Sequence, residues 1–171
     1  FIGTIAKNMC APHRIIILTP DQDMLQLIED HISVTLLKKG YGNYEVHNET
    51  TFFEWKGIKP QQMVDLKGLM GDTADNYPGV KGIGEKTAIK LLQQYGSIDS
   101  ILENLHALTA TQRRKIEESL DMLHMSRELA AIHCEVPLQF NIDEALLQFD
   151  LNKVADMIQE HELKGLYSKF L

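Results

Sequence analysis

Residues 71–92, GDTADNYPGVKGIGEKTAIKLL, decide how the rest of this chain is read. Two carboxylates, Asp72 and Asp75, stand directly before a glycine-punctuated segment containing Gly79, Gly82 and Gly84. Glycine lacks a Cβ, so it admits unusual backbone angles and lets a phosphate come close to the chain. An amphipathic helix follows from Glu85, with Ala88, Leu91, Leu92 and Tyr95 at i, i+3, i+4 and i+7 and Gly96 as its stop. The free N–H groups of that helix's first turn face whatever the loop holds, and Lys81, Lys86, Thr87 and Lys90 add charge and a hydroxyl. Two better-known glycine loops do not fit. Glu85 separates Gly84 from Lys86 and no strand precedes, so this is not a nucleotide P-loop; Thr87 stands where a dinucleotide fingerprint needs its third glycine. A helix-hairpin-helix that grips backbone phosphates without reading bases fits better, with a plain interhelical turn as the alternative.

Upstream, 14–19 (RIIILT) is a continuous apolar, β-branched run and reads as a parallel strand buried on both faces. Asp21 and Asp23 lie just past its carboxyl end, where open parallel sheets place their ligands. They are equally suited to cap and charge the start of a short helix over 21–28. Asp72 and Asp75 carry the same ambiguity, as ligands or as an Asx turn into Asn76 and Pro78. Hard divalent ions take oxygen ligands and keep several waters, so a few carboxylates suffice for one ion. A two-ion site needs several carboxylates converging from different elements, with the ions about 4 Å apart. Four aspartates on two elements are part of such a set.

Strands are expected over 32–37 and 44–47, around a Gly40, Gly42, Asn43 turn, and none after Asn48. Residues 1–11 read as the end of a helix. Beyond residue 49 the pattern is helical, over 50–56, 60–70, 85–95, 97–105, 109–119, 120–132, 151–159 and 162–170. The chain thus divides into an α/β part, 1–50, and an all-helical part, 51–171.

The 171 residues include 24% charged and 44% apolar residues, ordinary for a globular protein, and no run of about 20 apolar residues that a membrane span requires. The net charge of −7 disfavours nucleic acid as a partner, but its distribution does not. Between Lys56 and Lys90 six lysines face four acids, while Asp143, Glu144, Asp150, Asp156, Glu160 and Glu162 make the C-terminal part acidic. Cys10 and Cys134 form no framework and no metal spacing, as expected of thiols in a reducing cytoplasm. The seven histidines show no ligand spacing and read as surface or packing residues. Phe52, Phe53 and Trp55 could stack on bases but read first as packing. The apolar start at Phe1 has neither an initiator Met nor a cap, which reads as a fragment of something longer.

Three segments, TPDQDMLQL, DLKGLMGDTADNYPGVKGIGEKTAIKLLQQYGS and SRELAAIHCEVPL, resemble the 5′ nuclease domain of bacterial DNA polymerase I, and the resemblance covers nearly the whole chain. It implies the C-terminal part of a PIN-like, resolvase-like α/β nuclease domain followed by a helical helix-hairpin-helix module. It also implies a 5′–3′ exonuclease and flap endonuclease dependent on two Mg2+ or Mn2+ ions, monomeric and in the bacterial cytoplasm. On this resemblance Asp21 and Asp23 match one ligand pair, and Asp72 and Asp75 the other. Gly79, Lys81, Gly82, Gly84, Lys86, Thr87 and Lys90 match the element that holds duplex DNA with a 5′ end or flap, where relatives also bind K+. The family's remaining acidic ligands and its helical arch lie N-terminal to these segments, so the 171 residues alone are expected not to cleave. A free-standing flap endonuclease and a non-catalytic helix-hairpin-helix module remain as rivals.

Overall fold

The computed structural model describes residues 1–9, 13–40, 42–147, 150–163 and 165–166. Cys10 and most of the segment expected as a helix over 162–170 lie outside the described residues. The chain forms two compact units, residues 1–137 and 138–171.

The first unit begins with α1 (Ile2–Met9) and a three-stranded sheet in the order β1 (Ile15–Thr19), β2 (Ile32–Leu37), β3 (Tyr44–His47). β1 and β2 are parallel, with Ile15 opposite Ile32, whereas β2 and β3 are antiparallel, with Val34 opposite His47. The β-branched runs alternate across the sheet. Ile17, Ile32, Val34 and Leu36 turn inward and are buried, each removal from water contributing about 2 kcal/mol.

The other face corrects the expectation that β1 is buried on both sides. Ile16 and Leu18 are 65% and 64% exposed, and Leu37, Tyr44 and Val46 are exposed with them. Thr35, between Leu18 and Val46, is buried on that face. An apolar run shows that a strand is compatible with burial on both faces, not that both are covered.

Between β1 and β2 the expected short helix is a 3₁₀ helix, Gln22–Leu27, whose Leu25 and Leu27 seat in the core. Asp21 caps it, accepting from the Asp23 N–H at 2.9 Å. α2 (Glu49–Lys56) starts at a capping box between Asn48 and Thr51 and stops at Gly57. The segment expected over 60–70 opens as a 3₁₀ turn at Pro60, whose missing N–H is no loss there, and continues as α3 (Met63–Met70).

α4 (Glu85–Tyr95), α5 (Ile98–Glu103), α6 (Ala110–Glu117) and α7 (Leu120–Ala130) follow, the last packing along α3. Gly68 of α3 makes that approach close: a Cβ there would lie 3.1 Å from the Arg127 Cβ. Phe52, Leu66, Leu69, Leu92, Ile98, Ile101 and Ile116 join the inner face of the sheet in a single core. Asp65 and Arg127 fasten three helices from the polar side. The Asp65 carboxylate accepts from the Ile98 N–H at the start of α5 at 3.0 Å and from the Arg127 guanidinium of α7 at 2.7 Å.

Past α7 the chain returns across the N-terminal part of the unit. Gln26 bonds the carbonyl of Ala130 and the N–H of Ile132, and Val136 donates to Thr4. In the second unit, Asp150 caps α8 (Leu151–Glu160). Among the described residues no strand follows Asn48, and no helix is long and apolar enough to cross a membrane.

Candidate functional site

α3 ends at Gly71, whose φ of +73° turns the chain away from the helix axis. The next six residues close on themselves. The Asp72 N–H donates to the Tyr77 carbonyl at 2.9 Å, and the Tyr77 N–H returns to the Asp72 carbonyl at 3.1 Å. Inside this loop Asp72 Oδ1 accepts from the N–H of Ala74 at 2.8 Å, the Asx geometry that a turn aspartate favours. The loop therefore fixes the direction of the Asp72 carboxylate, which also accepts from the Asp75 N–H at 3.4 Å.

Folding brings Asp23 to the same place from the 3₁₀ helix after β1. Carboxylate oxygens of Asp23, Asp72 and Asp75 all lie within 4.8 Å of one another. Asp21, the fourth expected ligand, stands outside that group; its carboxylate caps the 3₁₀ helix, and it lines the same cavity as Asp72 and Asp75. The cavity, about 550 Å³, is walled by Asp21, Asp72, Asp75, Lys67, Trp55 and Lys56 among others. Three hard oxygen donors, two of them (Asp72 and Asp75) opening on this space, suit a hydrated divalent ion.

Lys67 was not singled out from the sequence, yet it occupies the middle of the group. It projects from α3 almost fully buried, donates to Asp72 Oδ2 at 2.7 Å and also pairs with Asp23. That hydrogen bond is the main reason the Asp72 carboxyl is held below the ordinary carboxylate range, against an opposing effect of burial. An ammonium seated between carboxylates shows that the cluster draws positive charge. A signal existed in the spacing: Lys67 lies on the apolar stripe of α3 with Met63, Leu66 and Met70, where a charge needs a reason.

A second layer rims the cavity. Phe52 is wholly in the core, Phe53 is exposed, and Trp55 stacks on His47 with ring centroids 4.8 Å apart. Lys56 lies 4.4 Å over the Trp55 ring and pairs with Glu85 of α4 at 2.6 Å. That contact ties the carboxylate site to the start of the helix after the hairpin.

In the hairpin, Gly71 and Gly79 pass backbone to backbone. A Cβ on Gly79 (φ +61°) would lie 2.2 Å from the Gly71 nitrogen, so no side chain fits. Val80 then donates to the Leu69 carbonyl at 2.8 Å, locking the loop onto α3. Gly82 (φ +80°) has the left-handed conformation, and Lys115 of α6 donates to its carbonyl at 2.7 Å. Gly84 departs from expectation: its φ is −97°, and a Cβ there would meet nothing within 4 Å. It keeps the approach to α4 open rather than enabling a special backbone angle.

No side chain caps α4. Lys81, Lys86 and Lys90 are exposed, and among the described residues none of them makes an ion pair, while Thr87 is half-buried. Lys115, far along the chain, was legible only once folded.

A family model described as 5′-3′ exonuclease, C-terminal SAM fold, matches residues 58–154, more than half of the chain and the whole hairpin with it. The chain belongs to the 5′–3′ exonuclease family. Among its relatives, a 5′-3′ exonuclease of Bacillus subtilis (strain 168) is 49% identical over 165 residues, covering 96% of this chain and 56% of that protein. A DNA polymerase I of Lactococcus lactis subsp. lactis (strain IL1403) is 38% identical over 171 residues, covering 96% of this chain and 19% of that one. The chain thus spans about half of the 5′-3′ exonuclease relative and about a fifth of the DNA polymerase I. A solved structure of the bacteriophage T5 flap endonuclease, in a pseudo-enzyme-product complex with DNA and metal ions, superposes with a TM-score of 0.65. It is 20% identical and covers 75% of this chain and 47% of that one, a likeness that shows the shared 5′-nuclease fold.

Proposed function

We propose that this chain supplies the duplex grip and part of the metal centre of a 5′–3′ exonuclease and flap endonuclease. The observation that carries the reading is the convergence of Asp23, Asp72 and Asp75 beside a hairpin whose lysines stand exposed. Residues 1–50 contribute the α/β side of the centre and 51–171 the helical grip. Asp23, Asp72 and Asp75 hold a divalent ion, Mg2+ or Mn2+, with Asp21 at the same cavity available to a second one. Bound there, such ions supply Lewis acidity and activate water toward a phosphodiester.

The chain's own residues do the rest. Lys67 balances the charge of Asp23 and Asp72. Lys81, Gly82, Gly84, Lys86, Thr87 and Lys90 hold the backbone of a duplex bearing a 5′ end or flap, by charge and by the open N-terminus of α4, whereas Gly79, buried with its N–H on the Ser126 hydroxyl, shapes the hairpin instead. The hairpin carbonyls are also a seat for K+. The protein acts as a monomer on cytoplasmic DNA. Higher identity with the separate 5′-3′ exonuclease than with DNA polymerase I supports a free-standing enzyme. Two ions need more carboxylates than the three gathered among the described residues, so these 171 residues alone cut poorly.

The test is cleavage of a labelled 5′-flap substrate by the intact protein, with DNA affinity measured alongside. Asp72→Ala and Asp75→Ala are expected to cut turnover by at least about 100-fold while leaving duplex affinity nearly intact. Equal losses in both would defeat the ligand role. Efficient Mg2+-dependent flap cutting by the 171 residues alone would defeat the expectation that they are incomplete.

A further inference from the structure

Glu85 puts a negative charge where the hairpin is otherwise built for anions. It opens α4, whose first N–H groups have no side-chain cap, and the Gly84 carbonyl takes the N–H groups of Thr87 and Ala88, both at 3.0 Å. A carboxylate in the first turn suits the helix dipole. Beside a DNA phosphate, however, it is a like charge, and in the chain it stands between the exposed Lys81 and Lys86.

Lys56 meets that charge from another helix. Its Nζ lies 2.6 Å from Glu85 Oε1, with a side chain 14% exposed against 46% for Glu85. The lysine is seated rather than solvated. Its ammonium lies 4.4 Å over the Trp55 ring, which stacks on His47 at 4.8 Å and meets the buried Phe52 edge-on at 6.1 Å. The support for this one cation thus runs from the core outward.

The ion pair is not needed to dock α2 on α4. Gln93 of α4 donates to the Gly57 carbonyl, one residue beyond Lys56, at 2.9 Å. Gln62 donates to the carbonyls of Leu92 at 3.2 Å and Gly96 at 2.7 Å. These neutral bonds fasten the two segments whatever the charge at Lys56, and an exposed pair adds little stability of its own. What the pair adds is control of one carboxylate.

We infer that Lys56 is a positioning residue of the DNA grip: it neutralises Glu85 and holds it against α2, so that a backbone phosphate at the start of α4 meets Lys81 and Lys86 without a competing carboxylate. This rests on the hairpin reading above. Trp55 and His47 serve the same end by keeping the ammonium in place before DNA arrives.

A double-mutant cycle on the intact protein tests it, read as affinity for a labelled 5′-flap duplex in EDTA. Lys56→Met should weaken binding by about tenfold, because Glu85 is left unpaired beside the phosphate. In the Glu85→Gln background the same substitution should weaken it by less than about threefold. Both arms remove the same charge, so an effect of bulk charge cancels in the comparison. Equal weakening in the two backgrounds overturns the inference, since Lys56 would then touch the DNA itself or merely support the fold. A loss below about twofold with Glu85 in place overturns it too. Replacing Lys86 and Lys90 by Ala, run in parallel, tells the two readings apart. If that replacement weakens binding and the cycle is additive, only the role of Lys56 fails. If it does not weaken binding, the hairpin grip fails and the inference with it.

Discussion

The Lys67 ammonium donates to Asp72 Oδ2 at 2.7 Å, across the turn in which α3 ends, while holding Asp23 on its other side. One side chain thereby joins carboxylates that are far apart in sequence. It is both the internal counter-ion of the cluster and the competitor of any cation that enters.

Lys67→Met should therefore separate stability from metal binding. Without metal, two half-buried carboxylates lose their partner, and unfolding in EDTA should become easier by about 2 kcal/mol. With the competitor gone, Mn2+ should bind more tightly, so the stabilisation by saturating Mn2+ should exceed that of the parent. Thermal melts with EDTA and across a Mn2+ titration check both signs.

Gly79 and Gly84 should answer the same substitution oppositely. Gly79→Ala puts a Cβ 2.2 Å from the Gly71 nitrogen at a positive φ and should cost about 3 kcal/mol or more. Gly84→Ala, with open space and an ordinary φ, should change stability by less than about 0.5 kcal/mol. Urea unfolding of both variants measures the difference.

Lys86 and Lys90 should act through phosphate charge alone. Replacing both by Ala should weaken duplex binding similarly for unrelated sequences and lower the slope of log affinity against log salt by about 0.9 for each phosphate no longer neutralised. Fluorescence anisotropy with two unrelated duplexes over a salt series is the measurement. A sequence-dependent loss would argue for base reading instead.

Arg127 should matter more to stability than its exposure suggests. Arg127→Met leaves the buried Asp65 without its ion pair and should cost about 3 kcal/mol in urea unfolding.

The partner of Arg127 on α5, Asp99, gives a pH signature. Two hydrogen bonds at 2.9 Å from the guanidinium hold the Asp99 carboxyl below its ordinary range. A lowered carboxyl stabilises the fold above the unfolded value, about pH 3.9, and ceases to as the pH falls through the folded value. Because Asp99 is largely exposed, Asp99→Asn should lower the melting temperature at neutral pH by only about 1–2 °C, and less at high salt. That gap should close in acid.

Much of the fold was legible because it is written locally. The stripe of Ala88, Leu91, Leu92 and Tyr95, the stop at Gly96, the helix start at Ser97 and the β-branched strands each depend on residues within a turn or two of one another. The exposed face of β1 was misread because two-sided burial is a property of neighbours, not of the strand. At the site, the expected aspartates could be named from spacing, but Asp21 proved to stand apart from the three that cluster.

The sequence by itself determined the helices, the strands, the hairpin and the candidate acids, since helix periods, caps and glycine turns are short-range physics. Only the tertiary structure decided which of those acids meet. It alone seated Lys67 between Asp23 and Asp72, brought Lys115 onto Gly82 and set Lys56 against Glu85. Those relationships carry no local signal: α3 meets the 3₁₀ helix after β1 to bring Lys67 to Asp23, and α6 meets the hairpin to bring Lys115 to Gly82.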